Sequence, residues 1–151
     1  MWPFKKRYKD IQDLPSDDLH HWTVLQSESD DGPMLIRRND TAKDWAKHPS
    51  LNIRVGFAVP LNSPKPGELP DPDENLILND IEDALCKLMK ATGPSIQVLV
   101  VATGTFKEFI FYMNNGEGIK SAHENAIAAF PDYNIQCYGK NDPNWASYRQ
   151  W

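Results

Sequence analysis

The chain has 151 residues, and its 16 Lys and Arg against 21 Asp and Glu leave a formal charge of −5. An apolar share of 40% with 25% charged residues is the usage of an ordinary folded domain and excludes a disordered or low-complexity protein. The acidic balance argues against a protein that coats nucleic acid or anionic membrane, and two cysteines cannot build a disulfide framework.

The chain starts Met1-Trp2-Pro3-Phe4-Lys5-Lys6-Arg7, basic and without the apolar segment of a secretory signal. Its longest apolar run, Val98-Leu99-Val100-Val101-Ala102, falls far short of the roughly 18 residues of a spanning helix. A cytoplasmic chain with no membrane span is expected, as an N-terminal arm over 1–20 and one domain over 21–151.

Trp22 to Glu28 and Pro33 to Arg38 flank the turn residues Asp30-Asp31-Gly32 and predict a β-hairpin. From Asn52 to Val59, Ile53, Val55, Phe57 and Val59 alternate with Asn52, Arg54, Gly56 and Ala58, which predicts a strand. Five prolines between Pro60 and Pro72 then forbid a regular element. Asp71 as N-cap, Pro72 at the first helical position and Glu74 in a capping box predict a helix. Its apolar stripe is read as Ile77, Ile81, Ala84, Leu85 and Leu88, and Gly93-Pro94 stops it. Ile96 to Ala102 reads as a strand buried on both faces, turned by Thr103-Gly104-Thr105 into a partner, Phe106 to Met113. A second helix is expected after Asn115, ending at Phe130-Pro131, with Ile119, Ala122, Ala126, Ile127 and Phe130 inward. A last strand over Asn134 to Tyr138 precedes a short helical turn begun by Asp142-Pro143, with Trp145 and Tyr148 on one side.

This order is an α+β fold: a ferredoxin-like βαββαβ core with an antiparallel sheet, plus an N-terminal hairpin and a C-terminal helical turn. In such a core the strands at 52–59 and 106–113 are central, so the hairpin must extend an edge or cover a face.

Asp31-Gly32-Pro33 with Ile36-Arg37-Arg38-Asn39, Ile81-Glu82-Asp83, Thr103-Gly104 and Lys107 to Tyr112 together resemble a bacterial family known as domain-of-unknown-function family 695. Phe130 to Ile135 and Asp142-Pro143-Asn144-Trp145-Ala146-Ser147-Tyr148 complete the resemblance, which covers the chain from about Trp22 onward. It implies a fold but no reaction. Some members carry a neighbouring domain similar to the regulator of ribonuclease E activity B, so the resemblance implies an RNA-linked regulator as a third reading.

No Gly-x-Ser-x-Gly elbow, HExxH helix or P-loop occurs, and nothing asks for a cofactor. Cys86 and Cys137 read as structural thiols, and His123 as a packed, hydrogen-bonded histidine. Asp17, Asp18, His20 and His21 have metal-ligand chemistry but no helical spacing, so they read as a solvated loop, not a metal site. Arg37, Glu82, Glu108 and Tyr112 are the candidates for a small-molecule or hydrolytic cleft, if they converge. Asn39, Asp142, Trp145 and Tyr148 join them as candidate binding residues. The strand 106–113 is apolar on both faces, so its second face needs a cover. Trp22 and Val24, or Trp145, Tyr148 and Trp151, are the candidates. If none covers it, the surplus aromatics mark a binding surface. The reading is therefore a non-catalytic domain that binds a protein partner through an open sheet face or a strand edge, with a homo-oligomer left open.

Overall fold

The computed structural model describes residues 7–30, 32–114 and 116–151. The basic start Met1 to Lys6, Asp31 of the expected turn and Asn115 lie outside the described residues. The strands β1 (Trp22–Ser29) and β2 (Gly32–Asn39) form the expected hairpin, in register from Trp22 opposite Asn39 to Ser29 opposite Gly32. Gly32 has a φ of 114°, where a side chain would be strained. A short 3-10 segment, Asp40–Trp45, leads to β3 (Ile53–Pro60). Then follow α1 (Pro72–Thr92), β4 (Ser95–Ala102), β5 (Phe106–Met113), α2 (Ile119–Ala129), β6 (Gln136–Asn141) and α3 (Ala146–Arg149).

The fold is α+β. One six-stranded sheet runs in the order β1-β2-β4-β5-β3-β6, and every neighbouring pair is antiparallel. Of the two places open to the hairpin, it takes the edge, with β2 pairing β4 from Leu35 opposite Ala102 to Arg38 opposite Leu99. The last strand lies later than the sequence suggests. Its ladder with β3 runs from Gln136 opposite Ala58 to Asn141 opposite Ile53.

Helix α1 starts where Asp71 and Pro72 place it, with Asp71 Oδ2 accepting from the Glu74 amide at 3.2 Å. Glu74 does not close the capping box. Its carboxylate is drawn into the core, where it accepts from the amides of Asn62 (2.6 Å) and Ser63 (2.9 Å) and from the Tyr133 hydroxyl (2.9 Å). The buried stripe is Leu78, Ile81, Leu85 and Met89, and Ile77 is 43% exposed. Ile81 and Leu85 have apolar neighbours at helical spacing on both sides, so periodicity alone does not fix the helix's rotation. In α2 the small Ala122 and Ala126 are buried while Ile127 faces out at 41% exposure, which corrects its inward placement.

Two cores result, one on each sheet face. Phe57, Phe109, Phe111 and Met113 lie with Ile81 and Leu85 under the helices. On the other side Ile36, Leu99, Ile110 and Tyr112 lie under Trp45, Leu51, Trp145 and Tyr148. The second face is therefore covered, as its apolar residues require, so no open sheet face is left for binding and the stacking platform of RNA-binding sheets is absent from β5. The C-terminal aromatics provide the cover. Trp22 and Val24 do not, because Val24 pairs with Arg37 and projects on the helix side.

Trp145 is the keystone of that cover. Its ring stacks on Tyr112 (centroids 4.2 Å apart, planes at 8°) and meets Tyr148 edge-on at 5.5 Å, and its Nε1 donates to Leu51 O at 2.7 Å. These contacts hold its backbone at a φ of 56°, in the left-handed region that a tryptophan rarely adopts. The Tyr112 hydroxyl donates to Asp142 Oδ2 at 2.6 Å, and Asp142 Oδ1 accepts from the Ala146 amide at 3.1 Å. Asp142 thus caps α3 from four residues upstream, and the helix begins later than expected. Burial pushes the Asp142 carboxyl up, but these hydrogen bonds and nearby Arg54 outweigh it and hold the group below its usual range.

The segment ahead of β1 is docked as well. Ile11 and Leu14 pack on the second core, and His48 Nε2 donates to Lys9 O at 2.6 Å while its Nδ1 accepts from the Ser50 amide. Among the described residues no helix is long and apolar enough to cross a membrane.

Replacing Trp145 with Ala removes a fully buried side chain and should cost about 3–5 kcal/mol. The urea midpoint measures it, and a loss below about 1 kcal/mol would remove Trp145 from this role.

Candidate functional site

The helix-side core takes its strand residues from β3, β4 and β5, and none from β1 or β2. The hairpin therefore stands beyond the helical roof, and a groove of about 470 Å³ runs between it and α1. That volume lies within the roughly 300–1,000 Å³ of small-molecule sites. Asn75, Asn79, Glu82 and Cys86 form the row of α1 that faces the groove and its extension. Leu35, Arg37, Val100, Ala102 and Lys107 form its floor. Leu69 and Pro70, from the proline-rich loop, also line it. That loop rests on Gly104, where a Cβ would overlap the carbonyl oxygens of Lys65 and Glu68. Lys65 N in turn donates to Gly104 O at 2.7 Å.

Lys107 is the unusual residue. Strand alternation puts it on the same face as Phe109 and Phe111, so its ammonium sits under the sheet's apolar roof with the residue 5% exposed. Nζ donates to Asn75 Oδ1 at 2.9 Å and lies 5.7 Å from the Phe109 ring centre. No carboxylate among the described residues forms an ion pair with it. Burial is the largest influence on its pKa and pulls it below the usual lysine value; Glu82 opposes that shift and Arg37 adds to it.

Arg37 links the groove to a more polar extension of about 370 Å³. Its guanidinium is ion-paired with Glu82 and lies 5.1 Å from the Trp22 ring centre. A register shift between Gln97 and Leu99 lets both Gln97 and Val100 face α1. Gln97 Nε2 donates to Glu82 Oε2 at 2.7 Å, and Cys86 Sγ donates to Gln97 Oε1 at 3.3 Å. Burial pushes the Cys86 thiol up to about 12 and the Cys137 thiol to about 11, so neither is a thiolate nucleophile at neutral pH.

His20, expected in a solvated loop, has a buried side chain at this end. Asn39 Nδ2 donates to His20 Nδ1 at 3.1 Å and to Gln97 O at 2.7 Å, while Asn39 Oδ1 accepts from the Thr41 amide. His20 Nδ1 is therefore an acceptor, and Nε2 carries the proton toward Pro15 O at 3.3 Å. Burial lowers its pKa, outweighing Asp17 and the Pro15 carbonyl, which raise it.

Of the four residues expected to converge, the structure joins Arg37 and Glu82 only. Glu108 and Tyr112 project from the opposite sheet face, Glu108 to Tyr138 and Tyr112 to Asp142. Asp142, Trp145 and Tyr148 are held in the cover of that face, whereas the Asn39 side chain lies at the polar end on His20 and Gln97 O, and only its backbone oxygen accepts from the Tyr148 hydroxyl, at 2.8 Å. His123 is packed as expected, its Nε2 on Ile135 O at 2.6 Å. Lys107 was not among the candidates. The signal was a lysine two residues before Phe109, on the inward side of a strand.

Residues 20–151 match a family of unknown function (DUF695). The chain belongs to DUF695. The match spans both cores, the groove and its polar extension, while the docked segment ahead of His20 precedes it. No curated protein and no solved structure matches the chain.

The locked neutral His20 predicts a pH effect with a definite sign. Its folded pKa lies below the ordinary 6.5, so the unfolded chain binds the proton first as pH falls. Stability should therefore drop as pH falls through 6.5, well above the range where Asp142 and Asp40, both lowered, begin to matter. The thermal midpoint should fall between pH 7.5 and 5.5, and less steeply in His20→Asn. Equal slopes in the two proteins would contradict the assignment.

Proposed function

We propose that this chain is a non-catalytic binding domain whose ligand lies in the groove between the hairpin and α1. The observation that carries the reading is Lys107, a buried ammonium facing an apolar groove with amides for partners. A charge so placed destabilises the free fold, so its presence there is best accounted for by something it binds. The polar groups around it support binding over catalysis. Glu82 is occupied by Arg37 and Gln97, His20 is held neutral by Asn39, and the Cys86 thiol is far from ionising. The strand order β4-β5-β3-β6 supports reading these four strands as a ferredoxin-like core that carries the groove at its extended edge. A cytoplasmic setting accords with the free thiols of Cys86 and Cys137.

A second reading, a protein partner or second copy pairing along β1, is favoured by one feature. β1 is an edge strand of the sheet, and it carries Val24 at 62% exposure.

Titration of small-molecule fragments into isotope-labelled protein tests the first reading. Responding amides should cluster at Leu35, Val100, Ala102 and the first half of α1, and Leu35→Trp should abolish the response. Responses scattered elsewhere, or unaffected by that substitution, reject the groove. Sedimentation equilibrium tests self-pairing along β1: a dimer dissociated by Val24→Lys supports it, and a monomer at all concentrations removes it.

A further inference from the structure

An ammonium has three donors, and the protein fills two of those on Lys107, with Asn75 Oδ1 at 2.9 Å and, weakly, Asn79 Oδ1 at 3.5 Å. The third has no acceptor among the described residues. Both partners are neutral, so they solvate the charge without cancelling it. The other cation of the groove, Arg37, is already neutralised by Glu82. One positive charge is therefore left uncompensated, in a space whose remaining walls include Leu35, Leu69, Val100 and Ala102.

We propose that the groove binds a small monocarboxylate with an apolar body. Its carboxylate takes the free donor of Lys107, and its tail lies over Leu35, Val100 and Ala102 toward Leu69. A phosphate monoester fits less well. It carries about −1.5 to −2 charges, which would leave net negative charge beside the Glu82 carboxylate. A neutral ligand would leave the Lys107 charge as it stands, and an amine would add to it. This inference rests on the groove being the binding site and adds the chemical class of its ligand.

The probes are hexanoate, 1-hexanol, hexylamine and hexyl phosphate, titrated into isotope-labelled wild type and Lys107→Met while the groove amides are followed by NMR. Hexanoate should bind at least about tenfold more tightly than 1-hexanol, the scale of a charge-assisted hydrogen bond. Hexylamine should leave the groove amides unmoved. In Lys107→Met the preference for hexanoate should shrink to within about twofold while the spectrum stays dispersed. Lys107→Gln serves as the second variant if the methionine form does not fold. Equal binding of 1-hexanol and hexanoate at the groove amides overturns the carboxylate inference and leaves the groove reading standing. Failure of every probe to move those amides removes both. Tighter binding of hexyl phosphate than of hexanoate overturns the single-charge assignment, as does a preference for hexanoate that survives in Lys107→Met.

Discussion

The sheet is wider than its roof. α1 and α2 cover β3, β4 and β5, while pairing with β4 extends the ladder by two further strands that give no residue to the helix-side core. The hydrogen bonds from Leu35 to Arg38 that fix the hairpin on that edge also fix what stands opposite α1. Arg37 comes to Glu82, Leu35 lines the groove beside Val24, and the flank of α1 that would otherwise meet solvent becomes a wall. This explains why the groove-facing row of α1 is Asn75, Asn79, Glu82 and Cys86, between a buried apolar stripe and an exposed surface. That row is neither core nor plain surface.

The opposite face has the reverse economy. Residues 40–51 and the C-terminal turn are folded back over it, and the Tyr112–Trp145 stack seals them down with Asp142 and Leu51 as polar anchors. That closure removes the sheet face as a binding surface and accounts for aromatics that two helices alone could not have buried.

Much of this was legible in the residues. Period-two alternation located β3, a near-continuous apolar run located β4, and Asp71-Pro72 located the start of α1. Each of these signals is local and depends on one element's own geometry. What could not be read depended on how elements pack. The rotation of α1 turned on which neighbours of Ile81 and Leu85 faced the sheet, and Leu78 and Met89 won over Ile77. Glu74 looked like a capping residue because its spacing to Asp71 is right, yet the fold brought Tyr133 and the Asn62 and Ser63 amides within its reach. The candidate cleft splits because Glu108 and Tyr112 project from one face of β5 while Arg37 meets Glu82 on the other, the face that the neighbouring Lys107 enters. Of the two neighbours it is the cation, Lys107, that enters the groove.

Everything proposed for the groove depends on Lys107 being a buried ammonium with no carboxylate partner among the described residues. The direct test is an NMR titration of the Lys107 side chain. In the free protein its midpoint should lie below the ordinary 10.5, and saturation with hexanoate should move it upward. A midpoint at or above the ordinary value in the free protein, unmoved by the anion, would contradict the account.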